Sequence, residues 1–248
     1  MKMNQQYMKK YHYKKNSGID YSASLGHRMN IIAPYLPKKG KILELGCGEG
    51  LLSQSVQQKT GADVFGVDIS SSGVNLAIKR GITASIADLN KRLPFPDSYF
   101  DLIFSDQVLE HVYNTDFLLS ETYRILKPGG IMIIITPNLS FWFNRILFLF
   151  GVYPMFLEAG EHFKTYGTMF LKKYMQEDQA MGHIHVFNKP ALEDIVRAHK
   201  FILIRVFGSP FSWHLPELFR MPYNMLDRFF ALFPSFARDI ILIGMKDK

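Results

Sequence analysis

Residues 41–52 read KILELGCGEGLL, and the three closely spaced glycines Gly46, Gly48 and Gly50 constrain the fold more than any other feature of the chain. Glycine has no Cβ and readily adopts positive φ, so such a segment can turn tightly and lie directly against a ligand. The apolar run before the glycines predicts a strand over 41–46, and the residues after them predict a helix over 51–59. A glycine-rich turn between a strand and a helix is typical of sites that bind nucleotide-like ligands.

The glycine spacing distinguishes between the known loops of this kind. The dinucleotide fingerprint is G-x-G-x-x-G, whereas this segment reads G-x-G-x-G and places Leu51 at the third glycine position. A phosphate-binding Walker loop requires G-K-[ST] after four spacer residues, which the segment lacks. The loop itself therefore predicts a nucleotide-like ligand without identifying it.

Apolar runs alternate with helical patterns along the rest of the chain. The predicted strands are 41–46, 63–68, 83–88, 99–105, 130–136, 201–207 and 239–245. The predicted helices are 51–59, 71–80, 115–126 and 190–199. This alternation predicts an α/β fold with a parallel sheet and helices on both of its faces.

Two carboxylates follow the second and third predicted strands. Asp68 ends the second strand, 22 residues after Gly46, and Asp88 ends the third. In an open α/β sheet, ligands bind outside the carboxyl ends of the strands. A carboxylate offers two acceptor oxygens, so Asp68 can accept both hydroxyls of a ribose and Asp88 can accept an exocyclic adenine amine. Either aspartate alone would also suit a loop or a helix cap, but three strand ends here agree.

The composition limits the class of protein. The chain has 248 residues, of which 48% are hydrophobic and 21% are charged, which is enough to bury a sizeable core. Cys47 is the single cysteine and excludes an internal disulfide. The first residues carry no apolar segment typical of a secretory signal, so we expect a cytoplasmic location.

The net charge of +7 is concentrated at the start of the chain. The residues concerned are Lys2, Lys9, Lys10, Lys14 and Lys15, with Tyr7, Tyr11 and Tyr13 between them. Such a stretch is typical of a solvated arm, and it can also contact nucleic acid or an anionic membrane.

Two stretches, 137–187 and 209–237, do not fit the strand–helix alternation. The first contains FWFNRILFLF and the second LFRMPYNMLDRFFALF. Polar residues interrupt both before the length of about 20 apolar residues that a spanning helix needs. We expect 137–187 to fold as a cap over the site, and the aromatic residues of the two stretches favour an apolar or carbohydrate acceptor. An interfacial helix at a membrane is the alternative. The aromatic residues concerned are Trp142, Phe143, Phe148, Phe150 and Trp213.

Several motifs together resemble the class I S-adenosylmethionine-dependent methyltransferases. LELGCGEG is similar to their first motif and VFGVDIS to their acidic second strand. ADLNKRLPFPDSYFDLIFSDQVLEHV and RILKPGGIMIIITPN are similar to the segments around their third to fifth strands. The resemblance covers 37–138 closely and continues through GHIHVFNKPALEDIVRAHKF, 182–201. Within the family the chain looks closest to the small-molecule branch of methionine-biosynthesis W-like and quinone-biosynthesis enzymes.

The resemblance implies a fold and a division of the chain. The fold is a Rossmann-like, seven-stranded, mostly parallel sheet with helices on both faces, an antiparallel last strand and helical cap insertions. The chain 1–248 would be a single methyltransferase domain. Its parts would be an N-terminal arm or helix at 1–36, a cofactor-binding core at 37–136, a cap insertion at 137–187, and a C-terminal part at 188–248 with an insertion at 209–237.

The resemblance also implies S-adenosylmethionine as cofactor and a role for eight residues. They are Glu44 and the backbone of Gly46 and Gly48 at the methionine end, Asp68 at the ribose hydroxyls, Ile69 against the adenine, Asp88 and the Leu89 amide at the adenine edge, and Ser105 at the methionine amino group.

Catalysis of methyl transfer rests mainly on alignment, which can supply about 7–11 kcal/mol. A general base adds a further factor where the nucleophile must lose a proton. The candidates are Asp106, Glu110, His111, His183 and His185. We single out His111 and His183, although a histidine at the end of a helix also suits a structural hydrogen bond. The alternation in GHIHVF predicts that one of His183 and His185 points inward and the other outward.

No metal is expected. Some quinone-type relatives carry Glu-x-x-Glu-His after the fourth strand and bind a divalent cation, but Gln107 replaces the first glutamate here. A neutral amide is a weaker ligand for a hard cation. Cys47, inside the glycine loop, is expected to be a small packing residue rather than a nucleophile.

The sequence thus predicts methyl transfer from S-adenosylmethionine to a small-molecule, lipid-like or glycan-intermediate acceptor, with peripheral membrane contact as a further hypothesis. The alternative is a cofactor-binding partner or regulatory subunit without activity. Leu51 and Asp88 disfavour a nucleotide-dependent oxidoreductase. The residues after the fourth strand lack an Asn-Pro-Pro-Tyr-like motif, which disfavours nucleic acid as the acceptor.

Overall fold

The computed structural model of the chain describes residues 21–160, 162–174, 180–210 and 217–248. Its strands are β1 (Lys41–Leu45), β2 (Asp63–Asp68), β3 (Thr83–Ile86), β4 (Phe100–Asp106), β5 (Leu126–Pro137), β6 (Phe201–Ser209) and β7 (Asp239–Lys246). Its α-helices are α1 (Tyr21–Ile32), α2 (Leu51–Thr60), α3 (Ser71–Lys79), α4 (Thr115–Ile125), α5 (Trp142–Leu149), α6 (Lys189–Ala198) and α7 (Glu217–Ala231). Short 3-10 turns lie at Ala33–Tyr35, Leu109–His111 and Met169–Tyr174.

The seven strands form one sheet in the order β3-β2-β1-β4-β5-β7-β6. Strands β1 to β5 pair in parallel, and β7 inserts antiparallel between β5 and β6. This confirms the predicted α/β fold with an antiparallel last strand. The parallel strands place all of their carboxyl ends at one edge of the sheet, where the topology predicts a ligand site.

The core lies on both faces of the sheet. Helices α4 and α6 cover one face, through Leu118, Leu119, Leu192 and Val196. Helices α1 and α2 cover the other, through Met29, Ile32, Leu52 and Val56. The sheet is therefore buried on both sides, as expected for parallel strands.

Several predicted strand boundaries differ from the structure by one or two residues, and the start of β5 differs by four. Strand β5 begins at Leu126 rather than at residue 130, because Leu126 already pairs with Phe100 before the register shifts to Leu102 and Ile131. The two glycines before Ile131 therefore lie inside the strand, where the register with β4 shifts. Strand β3 ends at Ile86, so Asp88 lies two residues beyond it.

The stretches 137–187 and 209–237 contain regular helices that strand–helix alternation did not predict, namely α5 and α7. The two helices pack together through a group of mainly aromatic side chains, which we call the aromatic cluster. It comprises Phe141, Trp142, Phe156 and Tyr223, with Phe143, Met155, Met181, Val186, Phe230 and Phe236 packed against them. Trp142, expected to face an acceptor, is instead buried and donates its Nε1–H to Asp227 at 2.9 Å.

Some sequence features fall outside the described residues, namely Trp213 and the basic start of the chain. Among the residues that the structure does describe, no helix combines the length and the apolar character needed to cross a bilayer.

Candidate functional site

The glycine loop connects β1 to α2 through three left-handed residues. Gly46, Gly48 and Gly50 have φ of +70°, +50° and +75°. The amides of Gly46 and Cys47 both donate to the carbonyl of Val67, at 2.7 and 2.9 Å, which fixes the loop to the end of β2. A Cβ at Gly46 would collide with the side chain of Val108. Gly46 therefore needs to be glycine for two reasons, its φ and the lack of space.

Asp68 joins the glycine loop to the turn after β2. Its Oδ2 accepts the amide of Gly48 at 2.8 Å, and its Oδ1 accepts the amide of Ser70 at 2.8 Å. Each carboxylate oxygen has a second lone pair. Asp68 is thus held in a fixed orientation at the carboxyl end of β2 and keeps acceptor capacity for a pair of hydroxyls.

The residues predicted at the adenine lie beside Asp68. Residue Asp68 is in register with Ile86 at the end of the neighbouring β3, and Asp88 follows two residues later. The Oδ1 of Asp88 accepts the backbone amide of Asn90 at 3.0 Å and its side-chain amide at 3.1 Å. Ile69 is half-buried and Leu89 is buried. The structure thus brings these four predicted residues to adjacent strand ends.

Glu44 and Ser105 lie further inside the sheet. Glu44 is 4% exposed and accepts a hydrogen bond from the hydroxyl of Ser53. Burial raises the pKa of Glu44 to about 8, so its carboxyl group holds a proton at neutral pH. Ser105 is buried at the end of β4, in register with Leu45 directly before the glycine loop.

Cys47 is a packing residue within this loop. It is buried, and a Cβ at Gly66 would approach its Sγ to 2.7 Å. Burial raises the pKa of the thiol, which removes the thiolate that a nucleophile needs.

Asp106, a predicted candidate base, forms a buried ion pair. Arg28 of α1 contacts both of its carboxylate oxygens, at 2.5 and 2.7 Å, and also contacts Asp239 of β7 at 2.8 Å. Both acceptor oxygens of Asp106 are occupied by a guanidinium, so we assign it to the support of the site rather than to proton transfer. Arg28 was not foreseen, because its partners are 78 and 211 residues away in sequence and no local pattern connects them.

His111 and His183 face each other across the end of β4. The Nδ1 of His111 is 3.1 Å from the carbonyl of Gly182, and the Nδ1 of His183 is 2.9 Å from that of Phe156. Their ring centroids are 4.9 Å apart. Because a carbonyl only accepts, each neutral ring carries its proton on Nδ1 and a lone pair on Nε2. Burial lowers the pKa of His183 and favours this neutral form.

The structure settles which histidine of GHIHVF points to the site. His183 points toward His111, whereas the Nε2 of His185 lies 3.2 Å from the carbonyl of Tyr113. The backbone amides of Ile184 and His185 both donate to the carbonyl of Glu110, at 2.8 and 3.1 Å. These bonds fasten the end of the 137–187 stretch to the turn after β4.

Glu110 lies close to the two histidines. Its side chain is fully buried, and its Oε2 accepts the hydroxyl of Thr136 at 3.0 Å. Burial raises its pKa to about 8, so it is protonated at neutral pH. One ligand atom each of Glu110, His111 and His183 lies within 4.8 Å of the other two, a spacing at which the three could hold a metal ion. The sequence prediction of a metal-free site stays a prediction.

Several buried polar atoms near the end of β4 lack a hydrogen-bond partner. They are Nε of Arg28, Nε2 of Gln107 and Oε1 of Glu110. Gln107 also has a positive φ of 55°. Leaving such atoms unpaired costs free energy, so their concentration at one place indicates a site that a polar ligand completes.

These residues fit a nucleoside that carries a polar tail. Asp68 and Asp88 suit the ribose and the adenine, and the glycine loop is held beside Asp68 by the hydrogen bond from the amide of Gly48. The unpartnered amide of Gln107 suits a polar tail. S-adenosylmethionine has these three parts, so the residues fit the cofactor that the sequence predicts.

Comparison with known proteins gives a family match over most of the chain. A family model described as a methyltransferase domain matches residues 19–206. The mitochondrial ubiquinone biosynthesis O-methyltransferase of Rattus norvegicus is 27% identical over 199 residues, which cover 74% of this chain and 52% of that protein. The ubiquinone/menaquinone biosynthesis C-methyltransferase UbiE of Neisseria meningitidis is 36% identical over 109 residues, which cover 41% of this chain and 44% of that protein.

These matches cover the relatives only in part. The matched region spans about half or less of the length of the curated relatives. Among solved structures, an S-adenosylmethionine-dependent methyltransferase from Mesorhizobium loti is similar with a TM-score of 0.61 and 18% identity, over 91% of this chain and 99% of that one. At this identity the structural similarity shows the fold.

Proposed function

Because the chain belongs to the methyltransferase domain family, we propose that it transfers a methyl group from S-adenosylmethionine to a hydroxyl of a small, apolar, lipid-like aromatic acceptor. The cofactor follows from the family and from the fit at Asp68, Asp88 and the glycine loop. The observation that carries the choice of acceptor is the position of the aromatic cluster, which ends at the histidine pair.

The aromatic cluster supports an apolar acceptor. Phe156 belongs to the cluster, and its carbonyl lies 2.9 Å from Nδ1 of His183. The ring centroids of Phe156 and His183 are 6.3 Å apart. An acceptor that reaches His183 along this side therefore meets aromatic and aliphatic side chains, which favour an apolar ring.

The histidine pair supports a hydroxyl as the methylated group. S-adenosylmethionine, when bound, supplies an electrophilic methyl group and a neutral thioether as leaving group. His183 presents an unprotonated Nε2 that can take the hydroxyl proton while the new oxygen–carbon bond forms. The carbonyls of Phe156 and Gly182 hold the two rings in this tautomer. The similarity to a ubiquinone biosynthesis O-methyltransferase also supports oxygen as the methylated atom, although another relative is a C-methyltransferase.

The stretch 137–187 takes the role of a cap in this proposal. Its last residues are hydrogen-bonded to Glu110 and His111, at the same sheet edge as the glycine loop. The site would then be enclosed by the core at 37–136 and by this stretch, within one domain.

The experiment compares two histidines that differ by two positions. Methyl transfer is followed with radiolabelled S-adenosylmethionine and a polyprenylated catechol as the probe acceptor. We predict that His183→Gln lowers kcat about 10²- to 10⁴-fold, and that His185→Gln stays close to the wild type. Cofactor affinity is measured for both by calorimetry and should not change.

The pH profile gives a second readout. Because burial lowers the pKa of His183, the wild-type rate should fall only at a pH below that at which an exposed histidine titrates. An unchanged kcat in His183→Gln would contradict the role of this base. A wild-type enzyme that binds the cofactor but does not methylate the catechol would contradict the proposed acceptor.

A further inference from the structure

One face of α7 exposes apolar side chains to solvent. From Arg220 onward the buried side of the helix carries Tyr223 and Asp227, which are 8% and 1% exposed. The opposite side and the turn after the helix expose six large apolar side chains. They are Met221, Met225, Leu226, Phe229, Leu232 and Phe233, between 47% and 74% exposed. At 100° per residue the four helical members, at positions 221, 225, 226 and 229, fall within one sector of the helix surface, and the other two follow in the turn. Among the residues that the structure describes, no apolar partner covers this face of α7.

The end of α5 adds a second exposed apolar group. Phe148, Leu149 and Phe150 are 54%, 80% and 73% exposed. Helix α5 is held against α7, because Trp142 stacks on Phe230 with a centroid distance of 5.5 Å. We call the exposed apolar side chains of 221–233 and of 148–150 the docking surface. Both parts belong to one packed helix pair.

The exposed charges on the described part of α7 are positive. Among the described side chains of α7, Arg220 and Arg228 are exposed, whereas the acidic Asp227 is buried against Trp142. The whole chain carries a net charge of +7. An apolar face flanked by cations complements an anionic lipid surface. A second copy of the chain would bring the same positive charge and would be repelled.

We propose that the docking surface binds the interface of an anionic lipid bilayer. The helix pair would lie in the plane of the membrane, with the apolar side chains among the acyl chains and Arg228 near the headgroups. The consequence for catalysis rests on the proposed function: the aromatic cluster connects the docking surface to His183, so binding would hold the site close to the bilayer that contains a lipid-like acceptor. The binding itself depends neither on the cofactor nor on an acceptor.

The test is sedimentation of the full chain with vesicles of phosphatidylcholine, with and without phosphatidylglycerol. We predict that the wild type sediments with the anionic vesicles and that high salt weakens the binding. The double variant Met225→Gln/Phe229→Gln should lower the vesicle partition about tenfold or more. Arg228→Gln should weaken binding mainly at low salt.

The matched control removes equally exposed apolar groups elsewhere. Ile78 and Ile202 are 51% and 46% exposed, on α3 and β6. The variant Ile78→Gln/Ile202→Thr should sediment like the wild type. Thermal unfolding of each variant shows that a loss of binding is not a loss of fold.

Three outcomes would overturn the proposal: a wild type that stays in the supernatant with both vesicle types, an equal loss of binding in the control, or gel filtration showing that the docking surface instead joins two copies. Methyl transfer is assayed separately. If the chain sediments with the vesicles but does not methylate the catechol, only the proposed function is contradicted. If it methylates the catechol but does not sediment with the vesicles, only the proposed membrane binding is contradicted.

Discussion

Residues that lie close together at the carboxyl ends of the strands have different roles. Asp68 orients the glycine loop through Gly48, and Cys47 fills space opposite Gly66. The roles of both residues could be predicted from the sequence, because strand ends and glycine spacing are local patterns. His111 and His183 were both singled out as candidates, but the sequence could not show that His183, rather than His185, faces His111, because that contact joins residues about 70 positions apart.

Gly46 provides a prediction with a matched control. Gly46→Ala introduces a Cβ into the Val108 side chain at a φ of +70°, and we expect it to weaken cofactor binding and lower stability. Gly61→Ala meets nothing within 4 Å at a nearly equal φ of +69°, at the end of α2. Calorimetry and urea unfolding should show only the modest cost of backbone strain in Gly61→Ala. Equal effects in both variants would contradict the collision.

Glu110 makes stability depend on pH. Its pKa is raised by burial to about 8 in the folded chain, so between about pH 5 and 8 the folded state keeps a proton that the unfolded state has lost. The free energy of unfolding should therefore fall as the pH rises through this range. Glu110→Gln should reduce this fall, and Glu44, whose pKa is raised similarly, should account for much of the remainder.

The measurement is urea unfolding at several pH values between 5 and 8. Asp194→Asn is the control, because the Asp194 side chain is 80% exposed and should leave the slope unchanged. A slope in Glu110→Gln as steep as that of the wild type would show that Glu110 is ionised in the folded chain.

At the scale of elements, the strands of the parallel core were predicted well, because each is an apolar run bounded by turn residues. Strand β5 was predicted too short, since its pairing with β4 across Leu126 overrides the local glycine signal. The stretches that hold α5 and α7 were predicted as helical insertions, but the bounds of the two helices were not, because their apolar faces are divided between a buried and an exposed side. Those sides become distinct only when the two helices pack.

Helix α1 provides the prediction at this scale. Arg28 joins it to Asp106 at the end of β4 and to Asp239 at the start of β7. In Arg28→Gln, Asp239 keeps Arg238 at 2.7 Å, but Asp106, whose side chain is only 15% exposed, loses its cationic partner. We expect a loss of about 3–5 kcal/mol in the free energy of unfolding.

Arg197→Gln is the control for this substitution, because the Arg197 side chain is 53% exposed and its ion pairs should contribute about 0–1 kcal/mol. Both variants are measured by urea unfolding at neutral pH. Similar losses in the two would mean that Arg28 does not pair with Asp106 in solution.

At the scale of the whole molecule, the sheet brings the glycine loop, two acidic strand ends and the histidine pair to a single edge, and the aromatic cluster of the α5–α7 pair contacts His183 through Phe156. The central claim is that this edge binds S-adenosylmethionine. Asp68 is its best single probe, because its carboxylate both orients the loop and can accept the ribose hydroxyls. Asp63 lies on the same strand at the opposite end and is exposed, which makes it a matched control.

The most direct measurement is calorimetric titration of the wild type, Asp68→Asn and Asp63→Asn with S-adenosylmethionine and, separately, with NAD. We predict that the wild type binds S-adenosylmethionine and not NAD, and that Asp63→Asn binds S-adenosylmethionine equally well. Asp68→Asn should bind about 10- to 100-fold more weakly, the cost of losing hydrogen bonds to a charged acceptor. Unchanged affinity in Asp68→Asn, or tight binding of NAD without S-adenosylmethionine, would contradict the central claim.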